Sequence, residues 1–108
     1  MTLPDQAAIF CGGLGTQLRP VTDKIPKPMV PVNGLPFLEH LICQLKENGI
    51  YNFILMTGYL GDQIQKYFED GANWGVKIQY SQGPAEWETA RRLQKAKHLL
   101  NDLFMILY

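Results

Sequence analysis

The chain has 108 residues, with ten lysines and arginines balanced by ten aspartates and glutamates. That length allows one domain with a modest core. A net charge of zero gives neither the basic surface of a nucleic-acid-binding protein nor a polybasic membrane patch. No apolar run is long enough to span a membrane, and residues 1–6 lack the features of a signal peptide, so we expect a cytoplasmic domain. Cys11 and Cys43 are interpreted as reduced core thiols.

Hydrophobic patterning predicts four strands and three helices in alternation. The strands span 7–11, 51–57, 76–80 and 103–108. The first and last are apolar throughout and the second contains the apolar run 53–56, which is typical of a parallel sheet covered on both faces. The helices span 36–48, 60–69 and 88–100. The expected inward-facing residues of the second helix are Ile64, Tyr67 and Phe68. Those of the third helix are Ala90, Leu93, Ala96 and Leu100. This order predicts an α/β fold, a Rossmann-like parallel sheet with helices on both faces.

The segment after the first strand is a long loop rich in glycine and proline. Glycines at 12, 13 and 15 allow backbone N–H groups to approach an anion closely. Lys27, between Pro26 and Pro28, can reach a phosphate as a point charge. The chain has no Gly-Lys pair, which excludes a P-loop, and Leu18 stands where a dinucleotide fingerprint needs its third glycine. The loop therefore predicts a nucleoside triphosphate site at the carboxyl end of the first strand.

Three motifs resemble those of the sugar-1-phosphate nucleotidyltransferases, the NDP-sugar pyrophosphorylases. They are Gly-Gly-x-Gly-Thr-x-Leu-x-Pro at 12–20, Pro-Lys-Pro-Met-x-Pro-Val at 26–32, and Pro-Phe-Leu-Glu at 36–39. The family joins a nucleoside triphosphate to a sugar 1-phosphate, with Mg²⁺, and releases pyrophosphate. The chain most resembles guanylyltransferases for mannose or manno-heptose 1-phosphate. Thymidylyl and uridylyl enzymes for glucose 1-phosphate stay open.

The resemblance also implies roles for individual residues. Lys27 and Gln17 would be catalytic, with Lys27 on the attacked α-phosphate, although the family usually has arginine at position 17. Either Arg19 replaces that charge, or turnover is weak, or the change was engineered. Gln82, placed just after the third strand, would contact the base. The full implied nucleotide-binding set is Cys11, Gly12, Gly13, Leu14, Gly15, Thr16, Arg19, Gln82, Glu88 and Thr89.

Glu88, a member of that set, stands where the family usually has glycine in Gly-Thr-Ala. Several other residues receive a structural interpretation. Trp74 and Trp87 could stack on a ring, but packing is the preferred interpretation. The two histidines, His40 and His98, show no metal-ligand spacing and are interpreted as structural or exposed. The Arg91-Arg92 pair could contact a phosphate, but a solvated helix face is the preferred interpretation.

The resemblance covers about 7–108 and corresponds to the N-terminal, nucleotide-binding part of such an enzyme. We therefore expect 1–108 to form part of a nucleotidyltransferase domain that is incomplete at its C-terminus. The family's Mg²⁺-binding aspartate is expected beyond Tyr108, so little activity is expected of this chain alone. The strand at 103–108 is expected to self-associate or to pair with a partner chain. The alternatives are a non-catalytic nucleotide-binding or regulatory module and a truncated domain that acts only in assembly.

Overall fold

The computed structural model describes residues 5–12, 24–84, 86–101 and 105–107. Its strands and helices in chain order are β1 (Gln6–Cys11), β2 (Pro31–Val32), β3 (Leu35–Pro36), α1 (Phe37–Glu47), β4 (Asn52–Thr57), α2 (Gly61–Phe68), β5 (Lys77–Gln82), α3 (Thr89–Ala96) and β6 (Met105–Leu107). Four strands form a sheet in the order β5-β4-β1-β6, and every pairing in it is parallel. This confirms the predicted parallel α/β architecture.

The sheet is covered on both faces because its central strands alternate between two apolar clusters. On one face, α1 and α2 pack against Ala7 and Ile9 of β1 and Phe53 and Leu55 of β4. On the other face, α3 packs against a smaller cluster. Its buried members are Ala8, Ile54, Met56 and Ala96. The expectation of helices on both faces is confirmed.

Two predicted inward-facing residues lie on the surface. Tyr67 of α2 is 39% exposed, and its hydroxyl donates a 2.5 Å hydrogen bond to the Glu39 carboxylate. Its ring meets Phe68 edge-on at 4.9 Å, so it covers the core from outside. Ala90 of α3 is also exposed. The predicted third helix is too long, since α3 ends at Ala96 and a 3₁₀-helix, Lys97–Leu99, follows it.

The loop predicted over 12–35 contains secondary structure that the sequence analysis missed. Its described part includes a 3₁₀-helix, Lys27–Met29, and a two-residue hairpin between β2 and β3. Asn33 and Gly34 make the turn with φ values of 52° and 83°. Asn-Gly is the pair that such a turn favours, because both central residues need positive φ. His40 Nε2 lies 2.6 Å from the Val32 carbonyl oxygen, which attaches the hairpin to α1. This contact agrees with a structural His40.

The two cysteines differ, so the interpretation of both as core thiols is wrong for Cys43. Cys11 is buried at the end of β1, whereas Cys43 is exposed on α1. Burial raises the pKa of the Cys11 thiol to about 12, although Arg92 opposes the shift. Burial also raises the pKa of Tyr80 to about 12. Both groups are therefore neutral in the folded protein at ordinary pH.

These two shifts predict alkaline destabilisation. A raised folded-state pKa gives stability that is complete below the unfolded value, 9.0 for Cys11 and 10.0 for Tyr80, and lost as pH rises towards about 12. We expect the free energy of unfolding, measured in urea, to fall over that range. Cys11→Ala should flatten the decline and the control Cys43→Ser should not. Identical pH profiles for the two variants would contradict the assignment to Cys11.

Candidate functional site

A cavity of about 290 Å³ opens at the carboxyl end of β1. Its wall combines the end of that strand with the 3₁₀-helix Lys27–Met29, α1 and the start of α3. The lining residues are Ile9, Phe10, Cys11, Gly12, Lys27, Pro28, Phe37, Leu38, Leu41, Trp87, Thr89 and Arg92. This is the edge of a parallel sheet at which ligands bind. Among these described lining residues, two carry positive charge and none carries a carboxylate, which favours an anionic ligand.

Lys27 reaches this cavity from a segment whose backbone is held at both ends. Met29 N–H donates to the Pro26 carbonyl at 2.9 Å, and Val30 N–H donates to the Lys27 carbonyl at 3.2 Å. Phe37 N–H then donates to Val30 at 3.0 Å, which connects the segment to the start of α1. The Lys27 residue itself is exposed. The backbone hydrogen bonds of this segment therefore hold Lys27 at the cavity.

Cys11 and Gly12 lie where the sequence places them, at the end of β1, and both are buried. The Gly12 carbonyl accepts hydrogen bonds from Arg92 Nη2 at 3.2 Å and Tyr59 N–H at 3.4 Å. A Cβ at Gly12 would lie 2.3 Å from Arg92 Cζ, so a guanidinium occupies the space that glycine leaves. The other predicted loop residues lie outside the described part of the chain. They are Gly13, Leu14, Gly15, Thr16, Gln17 and Arg19.

Gln82 is the last residue of β5, whereas the sequence analysis placed it after the strand. Its Oε1 accepts a 2.6 Å hydrogen bond from Thr57 Oγ1, and its Nε2 donates to the Gly58 carbonyl at 3.0 Å. Gln82 is not among the residues that line the cavity. Beyond these two hydrogen bonds, the Gln82 side-chain amide has one further lone pair on its oxygen and one further N–H hydrogen. The structure does not bring Gln82 together with Lys27 and Thr89.

Glu88 and Thr89 begin α3 and face different surroundings. Glu88 is the N-cap residue, and its carbonyl accepts from Arg92 N–H at 3.2 Å. It lines a separate, acidic depression with Glu86, whereas Thr89 lines the main cavity. The structure therefore brings Thr89, but not Glu88, to the cavity that Lys27 lines.

The two tryptophans also have different surroundings. Trp74 packs on the rings of Tyr67 and Phe68, at 5.6 and 4.9 Å, which confirms its interpretation as a packing residue. Trp87 lines the main cavity. Its ring centroid lies 5.4 Å from Arg91 Cζ and 5.6 Å from Lys95 Nζ, within cation–π range.

Arg92 is the functional candidate that the sequence analysis missed. Its assignment to a solvated helix face is wrong, because only 5% of the residue is exposed. Burial lowers the pKa of its guanidinium. The available signal was helical spacing, since Arg92 lies four residues before the buried Ala96 and therefore on the same face of α3. Arginine is so seldom buried that the spacing was given too little weight.

The described residues do not fit a magnesium site. Nowhere in this part of the chain do three or more histidines, cysteines, aspartates or glutamates come together as a metal-binding group. Mg²⁺ prefers oxygen ligands that include carboxylates, and the described cavity wall offers none. None of the helices in the described part of the chain has the length and hydrophobicity that a membrane span requires.

Residues 6–108 match the nucleotidyl transferase family. D-glycero-alpha-D-manno-heptose 1-phosphate guanylyltransferase of Campylobacter jejuni is 42% identical over 103 residues, covering 89% of this chain and 46% of that protein. Mannose-1-phosphate guanylyltransferase of Mycobacterium tuberculosis is 45% identical over 74 residues, covering 68% and 21%. The crystal structure of HddC from Yersinia pseudotuberculosis, complexed with GMP-PN, matches with a TM-score of 0.78 and 28% identity, covering 94% and 46%. The chain thus spans less than half the length of these proteins. The resemblance drawn from the loop motifs is confirmed, and the chain belongs to the nucleotidyl transferase family.

Proposed function

We propose that this chain supplies the nucleoside-triphosphate-binding part of a sugar-1-phosphate nucleotidyltransferase. The single observation that carries the proposal is the cavity at the carboxyl end of β1. Gly12, the first residue of the glycine-rich segment, lines it, and its described wall contains Lys27 and Arg92 but no carboxylate. A triphosphate is the anion that suits such a wall. The family reaction would convert it, with a sugar 1-phosphate, into an NDP-sugar and pyrophosphate.

In this proposal the described residues act by position and charge. Lys27 offsets the negative charge that develops as the sugar phosphate attacks the α-phosphorus. The backbone N–H groups of Gly12, Gly13 and Gly15 would hold the phosphates. Thr89 also lines the cavity, and a threonine hydroxyl can donate or accept a hydrogen bond. Gln17, as the second catalytic residue, would donate a hydrogen bond without charge.

The remaining nucleotide-binding residues implied by the resemblance are also part of the proposal. Cys11, Leu14, Thr16 and Arg19 would complete the phosphate-binding turn. Gln82 and Glu88 would require a nucleotide that extends past the described wall towards the end of β5, because neither lines the cavity in this structure. Mg²⁺ would neutralise phosphate charge when bound. No step is assigned to it here, because the described residues do not fit it.

Guanine is the base that we propose, and the comparisons support it. Three guanylyltransferases and a structure complexed with GMP-PN are among the relatives. A uridylyltransferase for glucose 1-phosphate is also 40% identical over 76 residues, so UTP belongs in any test. We further propose that the protein acts in the cytoplasm, which agrees with the substrates.

The test is calorimetric titration of the chain with GTP, ATP, dTTP and UTP, after circular dichroism has established that it is folded. We expect weak binding, tightest for GTP. A folded chain that releases no heat with any of the four would overturn the proposal. It would favour the alternative in which the domain acts only in assembly. A second assay would use a chain as long as the relatives and measure pyrophosphate release from the triphosphate and a sugar 1-phosphate. Triphosphate binding without pyrophosphate release would favour the non-catalytic module instead.

The outer edge of β6 motivates a separate prediction. Among the described residues, β6 pairs only with β1 and ends the strand order. An edge strand presents N–H and C=O groups to which another strand can pair. We therefore propose self-association through residues 103–108. Light scattering should give more than the mass of one chain, whereas a monomer with a sharp unfolding transition would contradict the proposal.

A further inference from the structure

One side chain joins the carboxyl ends of three adjacent strands. Arg92 Nη1 donates to the carbonyl of Thr57, the last residue of β4, at 2.9 Å. Its Nη2 donates to Gly12, just after β1, at 3.2 Å. The same nitrogen donates to Pro84, two residues after β5, at 2.6 Å. These acceptors lie 35, 80 and 8 residues from Arg92 in sequence, respectively. The planar guanidinium suits this task because its donors point in fixed directions.

Two glycines make room for that guanidinium. A Cβ at Gly12 would lie 2.3 Å from Cζ of Arg92, and one at Gly58 would lie 2.8 Å from its Nη2. Real Cβ contacts are not that short, so any larger residue at either position would displace the guanidinium or the backbone. The guanidinium and the two glycines therefore form one packed unit between β1 and β4.

The same carbonyls also accept backbone N–H groups from neighbouring loops. Gly83 N–H donates to the Thr57 carbonyl at 2.9 Å, and Tyr59 N–H donates to the Gly12 carbonyl at 3.4 Å. Gly12 and Arg92 both line the cavity. The shape of the cavity at the end of β1 thus depends on carbonyls that Arg92 orients.

We propose that Arg92 is a positioning residue that holds the ends of β1, β4 and β5 in the geometry needed by the nucleotide cavity. The inference rests on the proposed function for the identity of the ligand. It does not rest on that function for the link between strands, which can be tested without ligand. Arg92 acts through the carbonyls of Gly12, Thr57 and Pro84, whereas Lys27 is the group proposed to contact phosphate.

The first experiment measures amide hydrogen exchange without nucleotide. In Arg92→Met, we expect the Gly83 and Tyr59 amides to exchange faster by about tenfold or more. The Ile64 amide, in α2 on the opposite face of the sheet, should keep its wild-type rate. Lys97→Met, which removes an exposed charge just after α3, should change none of the three. Unchanged rates at Gly83 and Tyr59, or equal acceleration at all three amides, would overturn the inference. Equal acceleration would indicate a merely stabilising role.

Arg92→Lys keeps the test decisive if Arg92→Met fails to fold. Lysine retains the charge but has one nitrogen, which cannot reach the acceptors that two guanidinium nitrogens share. We expect faster exchange at Gly83 and Tyr59 here too, and wild-type rates in this variant would overturn the proposal. Gly58→Ala offers a neutral counterpart. It should accelerate the same amides in the wild type, and add less than its single effect in the Arg92→Met background.

The second experiment measures GTP affinity of the folded variants by calorimetry. We expect Arg92→Met to raise Kd by about tenfold or more, Arg92→Lys to recover part of the loss, and Lys97→Met to match the wild type. Wild-type affinity in Arg92→Met would overturn the inference and leave the proposed function standing. If the wild type binds none of the four triphosphates, the proposed function fails. Hydrogen exchange then decides alone whether Arg92 holds the strand ends.

Discussion

Replacing Phe53 with alanine should lower the free energy of unfolding by about 3–5 kcal/mol, the usual cost of removing a fully buried phenylalanine. Phe53 is 1% exposed. It lies on β4, paired with Ala7 of β1 on one side and Ile78 of β5 on the other. Its side chain belongs to the larger apolar cluster, beneath α1 and α2. Since domains of this size are stable by about 5–15 kcal/mol, the loss would be a large fraction of the total.

Tyr51→Ala is the matched control for that measurement. Tyr51 lies two residues earlier and is 49% exposed. Its carbonyl accepts the Lys77 N–H at 2.8 Å, a backbone bond that alanine keeps. We expect a change within about 0.5 kcal/mol, as for other surface substitutions. Both variants should shift the urea midpoint with an unchanged slope. A Phe53→Ala loss no larger than that of Tyr51→Ala would show that this cluster does not stabilise the sheet.

The same burial explains why the sheet could be predicted from the sequence. A strand covered on both faces requires a continuous apolar run, and β4 shows one in Phe53-Ile54-Leu55-Met56. In α1 the helical period places Leu38 and Ile42 on one face of the helix, and both are buried. The limits were less accurate. The β5 strand continues to Gln82 because that residue pairs with Thr57 of β4, a long-range contact without a local signal.

The errors have identifiable physical causes. The β2–β3 hairpin did have a local signal, Asn33-Gly34, which was masked by the surrounding prolines in the interpretation of 12–35 as one loop. Tyr67 occupies an apolar position of α2 by spacing, but its hydroxyl finds Glu39 at the surface. For Arg92 the helical spacing was the local signal, but the carbonyl groups that accept its hydrogen bonds come from distant parts of the chain and leave no local signal.

The candidate site was predicted in outline and not in its contacts. The position of Gly12 after a buried strand, and of Lys27 on a restrained segment, follows from glycine, proline and apolar patterning. The structure brings both residues to one cavity. The role of Gln82 could not be judged from sequence, because its amide is engaged by Thr57 and Gly58 across the sheet. Side-chain hydrogen bonds between distant residues are the part of a site that composition and spacing do not encode.

Lys27→Met should weaken GTP binding by about 1–3 kcal/mol, or roughly 5- to 150-fold in Kd. The variant removes the charge and keeps most of the aliphatic chain, so packing at the cavity wall changes little. Because the residue is exposed, water and salt screen its charge, and the lower half of that range is the better expectation. The loss should appear in calorimetric titrations, while the thermal midpoint without nucleotide stays close to that of the wild type.

Lys24→Met provides the control, since Lys24 is also exposed but does not line the cavity. It removes a positive charge three residues before Lys27. The Lys24 carbonyl, which accepts a 2.7 Å hydrogen bond from Gln63 Nε2, stays in place. If Lys27 contacts a phosphate, raising the salt concentration should weaken binding by the wild type and Lys24→Met more than by Lys27→Met. Equal affinities and equal salt dependence in the two variants would show that Lys27 contributes only to the general charge of the surface. The triphosphate would then have to be held by groups other than Lys27, such as Gly12 after the end of β1.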